Sequence, residues 1–305
     1  MSVRNRLENW QTAWAQSRGV RLEPPLWIPG SKKCGYVPTL QENLFEPISE
    51  RVKQQFILGA GGELKAPDGA SGNMYAAYSS SALCVNLFHP WSGVLDAAPT
   101  DLTASSVLLL EALGLPSMPI KSVDFEAPQI VNPKFLTSPH LDVQISFHES
   151  EWKCAGVEAK FCEPYPGKKH GGLDACYLRE EVLWQDWSSV LAFAEEISNS
   201  GGMYFHLDAS QLLKHLLGLR RQHGTRFILM YLWFDVPGSK EAQILRREIA
   251  SFSEVLRGDG IAFVSRTYQE VFQFLRNCES KSPHVDYLVD RYLNGAPSGE
   301  NSSNP

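Results

Sequence analysis

Asp142, Glu158 and Lys160 lie within one short stretch, SPHLDVQISFHESEWKCAGVEAKFCEPYPG. Each sits in a run of apolar and small residues, HLDVQI or GVEAKF, where a charge needs a reason to be. Residues two apart on a strand point to the same side, so Glu158 and Lys160 project together. Val157, Ala159 and Phe161 then face apolar packing. A hairpin around the polar HESEWK turn can bring Asp142 beside Glu158. Two adjacent carboxylates repel unless a cation neutralises them, and hard oxygen ligands suit Mg²⁺, with Mn²⁺ able to replace it. A lysine beside them completes a site for cleaving phosphodiesters: a metal activates water, and the ammonium orients that water or stabilises charge in the transition state. The expected metal ligands are Asp142 and Glu158, and the expected catalytic set is Asp142, Glu158 and Lys160. The competing structural account is an E-x-K pair forming a salt bridge on a solvated strand.

The elements around this stretch follow from periodicity. Residues 1–18, 40–58, 101–113, 174–198, 210–222, 239–257 and 267–277 read as helices, with Pro47 at a start or break. Asp101 or Thr103 is the expected cap of the third, and Asp208 or Ser210 of the fifth. SSSALCVNLF, from Ser79, reads as a short buried helix with serine caps. KSVDFEA, HLDVQISF and KCAGVEAKF read as strands. RFILMYLWF is apolar throughout, as in a sheet centre, and GIAFVSR reads as a second buried strand. The Pro/Gly-rich EPPLWIPGSKKCGYVP is expected to be irregular, GAGGELKAPDGASG a loop and NGAPSGENSSNP disordered. Helices, three strands, helix, strand, helix and strand make an α/β fold with a mixed sheet and helices on both faces. The domain expectation is a helical extension over 1–58 packed on a core, a domain over 59–293, and a tail over 294–305.

PHLDV, a short hairpin, then VEAKF followed by EPY resembles the PD-(D/E)XK nuclease superfamily. It is most similar to the restriction-endonuclease-like group whose metal-binding Asp follows Pro-His-Leu. The SSSALCVNLF and QLLKHLLGL helices resemble parts of that group, and the likeness spans roughly residues 60–275. It implies an αβββαβ core, Mg²⁺ dependence and DNA as substrate. The superfamily's Asp, Glu and Lys fall on Asp142, Glu158 and Lys160. Many members add an earlier acidic residue, for which Glu63 and Glu126 are the candidates. Exonuclease-like members carry Gln and Tyr four apart on the next helix. Here Gln211 is followed by His215, which departs from the processive exonuclease pattern. The implied function is a DNA endonuclease in restriction or defence, with repair as another role. The alternatives are a catalytically silent nuclease fold that binds DNA or a partner, and an unrelated α/β protein.

Other features limit the function classes. The chain has 305 residues, 43% hydrophobic and 20% charged, enough for one large core. A net charge of −6 weighs against non-specific binding along nucleic acid, although a local basic groove or a metal site is compatible with it. The six cysteines show no zinc spacing, and reduced thiols, no secretory signal and no long apolar run fit a cytoplasmic protein. ILGAGGEL lacks the third glycine of a dinucleotide loop, where Leu64 stands. Lys168 to His170 and the LRRQH run could meet phosphates, but a solvated loop and a helix C-terminus explain them as well. Trp184 and Trp187 could stack on bases or simply pack. His89, His206 and His215 show no metal-ligand spacing. Cutting both strands of a duplex would favour a homodimer.

Overall fold

The computed structural model describes residues 1–25, 34–59, 61–65, 72–92, 104–148, 151–200, 203–279 and 281–297. Parts of five sequence expectations lie outside these residues: the irregular segment at 26–33, the Gly-rich loop at 66–71, the caps at Asp101 and Thr103, the hairpin turn at 149–150, and the tail from 298.

A mixed five-stranded sheet carries the molecule: β1 (Ile120–Pro128), β2 (His140–Phe147), β3 (Cys154–Lys160), β4 (Phe227–Trp233) and β5 (Phe263–Thr267). The spatial order is the sequence order. β1, β2 and β3 are antiparallel neighbours, and β3, β4 and β5 run parallel. The αβββαβ arrangement with helices on both faces is therefore the observed one. The change from antiparallel to parallel needs a crossover after β3, and helices supply it.

The helices are α1 (Val3–Ser17), α2 (Glu50–Leu58), α3 (Ser80–Ser92), α4 (Ala104–Leu113), α5 (Ala175–Leu178), α6 (Glu181–Trp184), α7 (Ser188–Asn199), α8 (Ala209–His223), α9 (Lys240–Gly258), α10 (Tyr268–Cys278) and α11 (Pro283–Tyr292). α2 lies on β1, where Gln55 bonds Asp124 and the Phe125 N–H, and Phe56 packs on Phe125. α3 crosses β1, β2 and β3, while α8 covers β3 and β4. Val3, Leu7, Val52 and Phe56 join the same buried cluster as the sheet.

Four expectations need correction. Residues 40–58 are not one helix: a 3₁₀ turn at Leu40–Asn43 precedes α2, because Pro47 interrupts the hydrogen-bond ladder. Residues 174–198 form α5, α6 and α7, separated where Glu180 is non-helical and Asp186 adopts φ 63°. β5 is half-buried at all five positions, unlike fully buried β4, because it has a neighbour on one side within the sheet. α11 went unforeseen, although Ser282 caps it and Pro283 occupies its first turn, a standard start signal.

Candidate functional site

The β2–β3 register pairs Val143 with Val157, which brings Asp142 to the level of Glu158. The Ala159 backbone N–H donates to Asp142 Oδ2 at 2.6 Å, fixing that carboxylate across the strands. The Lys160 ammonium lies 2.6 Å from Glu158 Oε1 and 3.8 Å from Asp142 Oδ2. Alternation on β3 thus brings the Glu158 and Lys160 side chains together. Glu158 is 4% exposed, while the side chains of Lys160 and Asp142 are about a quarter exposed, at 23% and 27%. The cluster therefore has a closed side at Glu158 and an open side at Asp142 and Lys160. Just beyond β3, Glu163 accepts from the Phe161 N–H at 2.8 Å, and Tyr165 donates to the Phe234 carbonyl after β4.

α8 forms the closed side. It can lie near the sheet because Gly156 and Gly218 have no side chains. A Cβ on Gly156 would meet Leu141 at 2.7 Å and Leu219 at 3.0 Å, and one on Gly218 would meet Gln129 Cβ at 2.5 Å. Asp208 caps α8 by accepting from the Gln211 N–H. On this helix His215 is fully buried, with Nε2 2.8 Å from Glu158 Oε2. The Gln211 side chain reaches the same ring nitrogen at 3.1 Å. His215 is the site residue that sequence reasoning missed; its four-residue spacing from Gln211 on the helix after the ExK strand was the available signal.

Glu126 and Glu63, between which the sequence does not choose, both reach this neighbourhood. Pairing of Phe125 with Val143 and of Ala127 with Leu141 sets Glu126 at the level of Asp142. Glu126 adopts φ 49°, a left-handed conformation rare for a residue other than glycine and often found at functional positions. Burial pushes its carboxyl up to about 7, and Glu63 and Glu158 add to the rise. Its Oε2 lies 3.8 Å from His140 Nδ1. Glu63 accepts from the Ser81 hydroxyl at 2.7 Å, and burial raises its carboxyl too. Asp142 is pushed well above its usual range, first by burial and then by Glu158, against the pull of Lys160. Burial alone would raise Glu158, but Lys160 and then His215 outweigh it and hold the carboxyl at about 2. Burial likewise opposes the Lys160 charge, yet Glu158 and Asp142 hold its pKa well above normal. Glu158, Asp142 and Glu163 thus act on the single Lys160 charge, with Glu126 and Glu63 within its electrostatic reach, an excess of negative charge.

The family model for a restriction endonuclease associating with ARP matches residues 8–293. The chain belongs to this family. As a member of the restriction endonuclease family associating with ARP, it is a restriction-endonuclease-like protein, and the match spans every element of the site, from Glu63 to His215. No curated protein and no solved structure gives a significant match.

The remaining candidates have structural partners. His170 Nδ1 lies 3.0 Å from Asp208, which ties the Lys168 to His170 run to the start of α8. Arg220, in the LRRQH run, stacks over Trp187 with 4.1 Å to the ring centroid. Trp184 is buried and donates to the Tyr177 carbonyl. His206 donates from Nδ1 to the Pro164 carbonyl at 2.6 Å, and His89 contacts Glu46 at 3.0 Å. All six cysteines are free thiols. Among the described residues, no group of three or more His, Cys, Asp or Glu side chains is arranged to hold a metal ion, and no helix is long and apolar enough to cross a membrane. Gly59, which lines a cavity of about 660 Å³ with Leu44, Ile48, Lys53, Phe56 and Tyr75, has Glu126 directly against it.

Proposed function

We propose that this chain is a Mg²⁺-dependent DNA endonuclease of the PD-(D/E)XK type, acting in restriction or defence, with Asp142, Glu158 and Lys160 as its catalytic core. The observation that carries this reading is the position of the Lys160 ammonium between the Glu158 and Asp142 carboxylates. A cation between two converging carboxylates is the arrangement that a divalent ion would also satisfy. The donor set fits Mg²⁺, which is commonly held by one or two carboxylates, waters and substrate phosphates rather than by a complete protein cage. The excess of acids, with Glu126 pushed up to about 7, supports the need for more positive charge than Lys160 supplies.

Asp142 and Glu158 would hold the ion, with Mn²⁺ as a substitute, and Glu126 and Glu63 are placed to assist. Bound there, the ion supplies positive charge at the phosphoryl oxygens and makes a coordinated water more acidic. Lys160, on the open side, orients the attacking water and stabilises the negative charge that grows as water oxygen bonds to phosphorus and the P–O bond to the leaving strand breaks. Ala159 keeps Asp142 in place through its N–H. Residues 1–58 are then an extension packed on a nuclease domain of residues 59–293, and a homodimer would cut both strands.

The test is to incubate purified protein with duplex and single-stranded DNA in Mg²⁺, Mn²⁺ or EDTA, beside Asp142→Ala. The expected result is cleavage in Mg²⁺ or Mn²⁺, none in EDTA, and loss of both cleavage and calorimetric metal binding in the variant. Folded wild-type protein that binds DNA without cutting it in either metal would replace this reading with that of a silent nuclease fold.

A further inference from the structure

We propose that His215 is a positioning residue that fixes the direction in which Glu158 presents its carboxylate, an inference that rests on the nuclease reading above. The ring is fully buried on α8 and meets Glu158 Oε2 at 2.8 Å through Nε2. Its other nitrogen, Nδ1, is buried with no hydrogen-bond partner among the described residues. This asymmetry selects the tautomer. A proton on Nδ1 would bury an unsatisfied N–H donor and leave two acceptors, Nε2 and the carboxylate, facing each other. A proton on Nε2 instead donates to Glu158 and leaves a bare lone pair at Nδ1, the less costly of the two to bury. The ring is therefore an Nε2–H donor to Oε2. Gln211, one turn earlier, brings its side-chain amide nitrogen to 3.1 Å from the same Nε2; as an N–H donor it makes no hydrogen bond to an Nε2–H, and it restricts the tilt of the ring by packing alone.

The two oxygens of Glu158 then have different tasks. Oε2 is committed to α8, and Oε1 is the oxygen beside Lys160, on the side of Asp142. A glutamate carboxyl otherwise rotates readily about its last torsion, and rotation here would exchange or misdirect the oxygens. Holding Oε2 makes Oε1 the atom offered to a cation, without His215 touching that cation. Partners of this kind typically change metal affinity or activity by about 10- to 100-fold when removed. The placement depends on the close approach of α8, since Gly218 and Gly156 leave no room for side chains where that helix meets the sheet.

The test uses full-length His215→Leu and His215→Gln. Leucine fills much of the space with no donor, whereas the glutamine amide nitrogen can reach where Nε2 stood. Mn²⁺ affinity is measured by calorimetry, and kcat and KM are measured separately on duplex DNA. Melting temperature monitors folding, and ¹⁵N NMR of the metal-free wild type reads the tautomer. The expected results are an Nε2–H tautomer, His215→Leu binding Mn²⁺ about 10- to 100-fold more weakly with kcat reduced and KM for DNA little changed, and His215→Gln recovering most of both losses. Leucine-variant affinity within twofold of wild type, or a folded glutamine variant no better than leucine, overturns the proposal. If the leucine variant does not fold, an Nδ1–H tautomer, or a glutamine variant with wild-type fold and Mn²⁺ binding below detection, overturns it instead. Wild-type protein that neither binds Mn²⁺ nor cuts DNA would overturn the nuclease reading and this proposal together, an outcome recognisable without any variant.

Discussion

Two cations, the half-buried Lys160 and the fully buried Arg291, are held in opposite ways. Arg291 is fully buried on α11, where its guanidinium has five N–H donors and all five are used. They reach Gln11, the Asn43 carbonyl and side chain, Tyr287 and the Ala77 carbonyl. None of these acceptors is a carboxylate, and Trp14 and Tyr292 stack on the charge at 4.7 and 4.9 Å. The charge is neutralised by dipoles and ring faces, and joins α1, the 3₁₀ turn, the approach to α3, and α11. Lys160 is instead partly exposed, faces carboxylates, and has acids nearby that are displaced from their usual ionisation. A saturated charge holds a fold together, whereas an over-supplied one is suited to receiving a ligand.

The contrast can be broken most directly at Arg291. Arg291→Leu would take the Arg291 donors from the buried side-chain oxygens of Gln11 and Asn43 and the Ala77 carbonyl, at about 1–3 kcal/mol each, while the Asn43 carbonyl keeps the Asn86 amide. Stability should fall by about 3 kcal/mol or more, read as a lower denaturant midpoint, while the molecules that remain folded keep wild-type metal affinity. An unchanged midpoint would remove the staple role of Arg291. Lys160→Ala should do the reverse. It removes one charge from a site that stabilises growing negative charge, so cleavage should fall by about 100- to 1000-fold. Metal binding should survive or tighten, since Asp142 and Glu158 remain, and the variant should fold because no large apolar cavity opens. Wild-type cleavage by Lys160→Ala in every metal would end the catalytic role given to this lysine.

How far each region was legible follows from how local its causes are. Strand alternation places Glu158 beside Lys160, and the apolar character of β4 marks the sheet centre; both depend on consecutive residues. His215 meets Glu158 across 57 positions, by way of a helix whose approach depends on Gly156 and Gly218; its four-residue spacing from Gln211 marks a shared helix face, but the contact with Glu158 is set by that approach. The left-handed backbone of Glu126 is equally invisible, because glutamate has no preference for that conformation. β5 reads as buried from its apolar residues, but its edge position is a property of the whole sheet. Arg291 was passed over with α11, although the Ser282–Pro283 start was present.

Glu126 sharpens the comparison through pH. Its carboxyl is pushed from 4.5 up to about 7, by burial first and by Glu63 and Glu158 in addition. Between those values the native state keeps a proton that the unfolded chain has released. Metal-free stability should therefore fall as pH rises through this window, by about 1–3 kcal/mol at one pKa unit per 1.4 kcal/mol. Glu126→Gln has no such proton, so its melting temperature relative to wild type should rise between pH 4 and pH 8. A difference independent of pH would show that the excess of negative charge is not felt at Glu126.

The smallest expected effect comes from adding a single methyl group beside that acid. Gly59 has φ −65° and ψ 154°, which alanine adopts without strain. A Cβ there would lie 2.8 Å from Glu126 Oε2, 2.9 Å from its Cγ and 3.0 Å from its Cβ. Rotation of the carboxyl could relieve the first contact, but the other two involve the base of the side chain and force Glu126 as a whole to shift. Gly59→Ala is thus a way to displace Glu126 while keeping its charge. Gly171→Ala is the control, because a Cβ there meets nothing within 4 Å. If Glu126 assists Asp142 and Glu158 in holding the ion, Gly59→Ala should lower Mn²⁺ affinity and cleavage by a few-fold, roughly 0.5–1 kcal/mol on the scale where tenfold is about 1.4 kcal/mol. Gly171→Ala should leave both unchanged. Calorimetry and initial cleavage rates on the three proteins decide the matter. Equal values for Gly59→Ala and wild type would mean that the position of Glu126 is immaterial to the ion, and that its raised ionisation only reports the carboxylates around it.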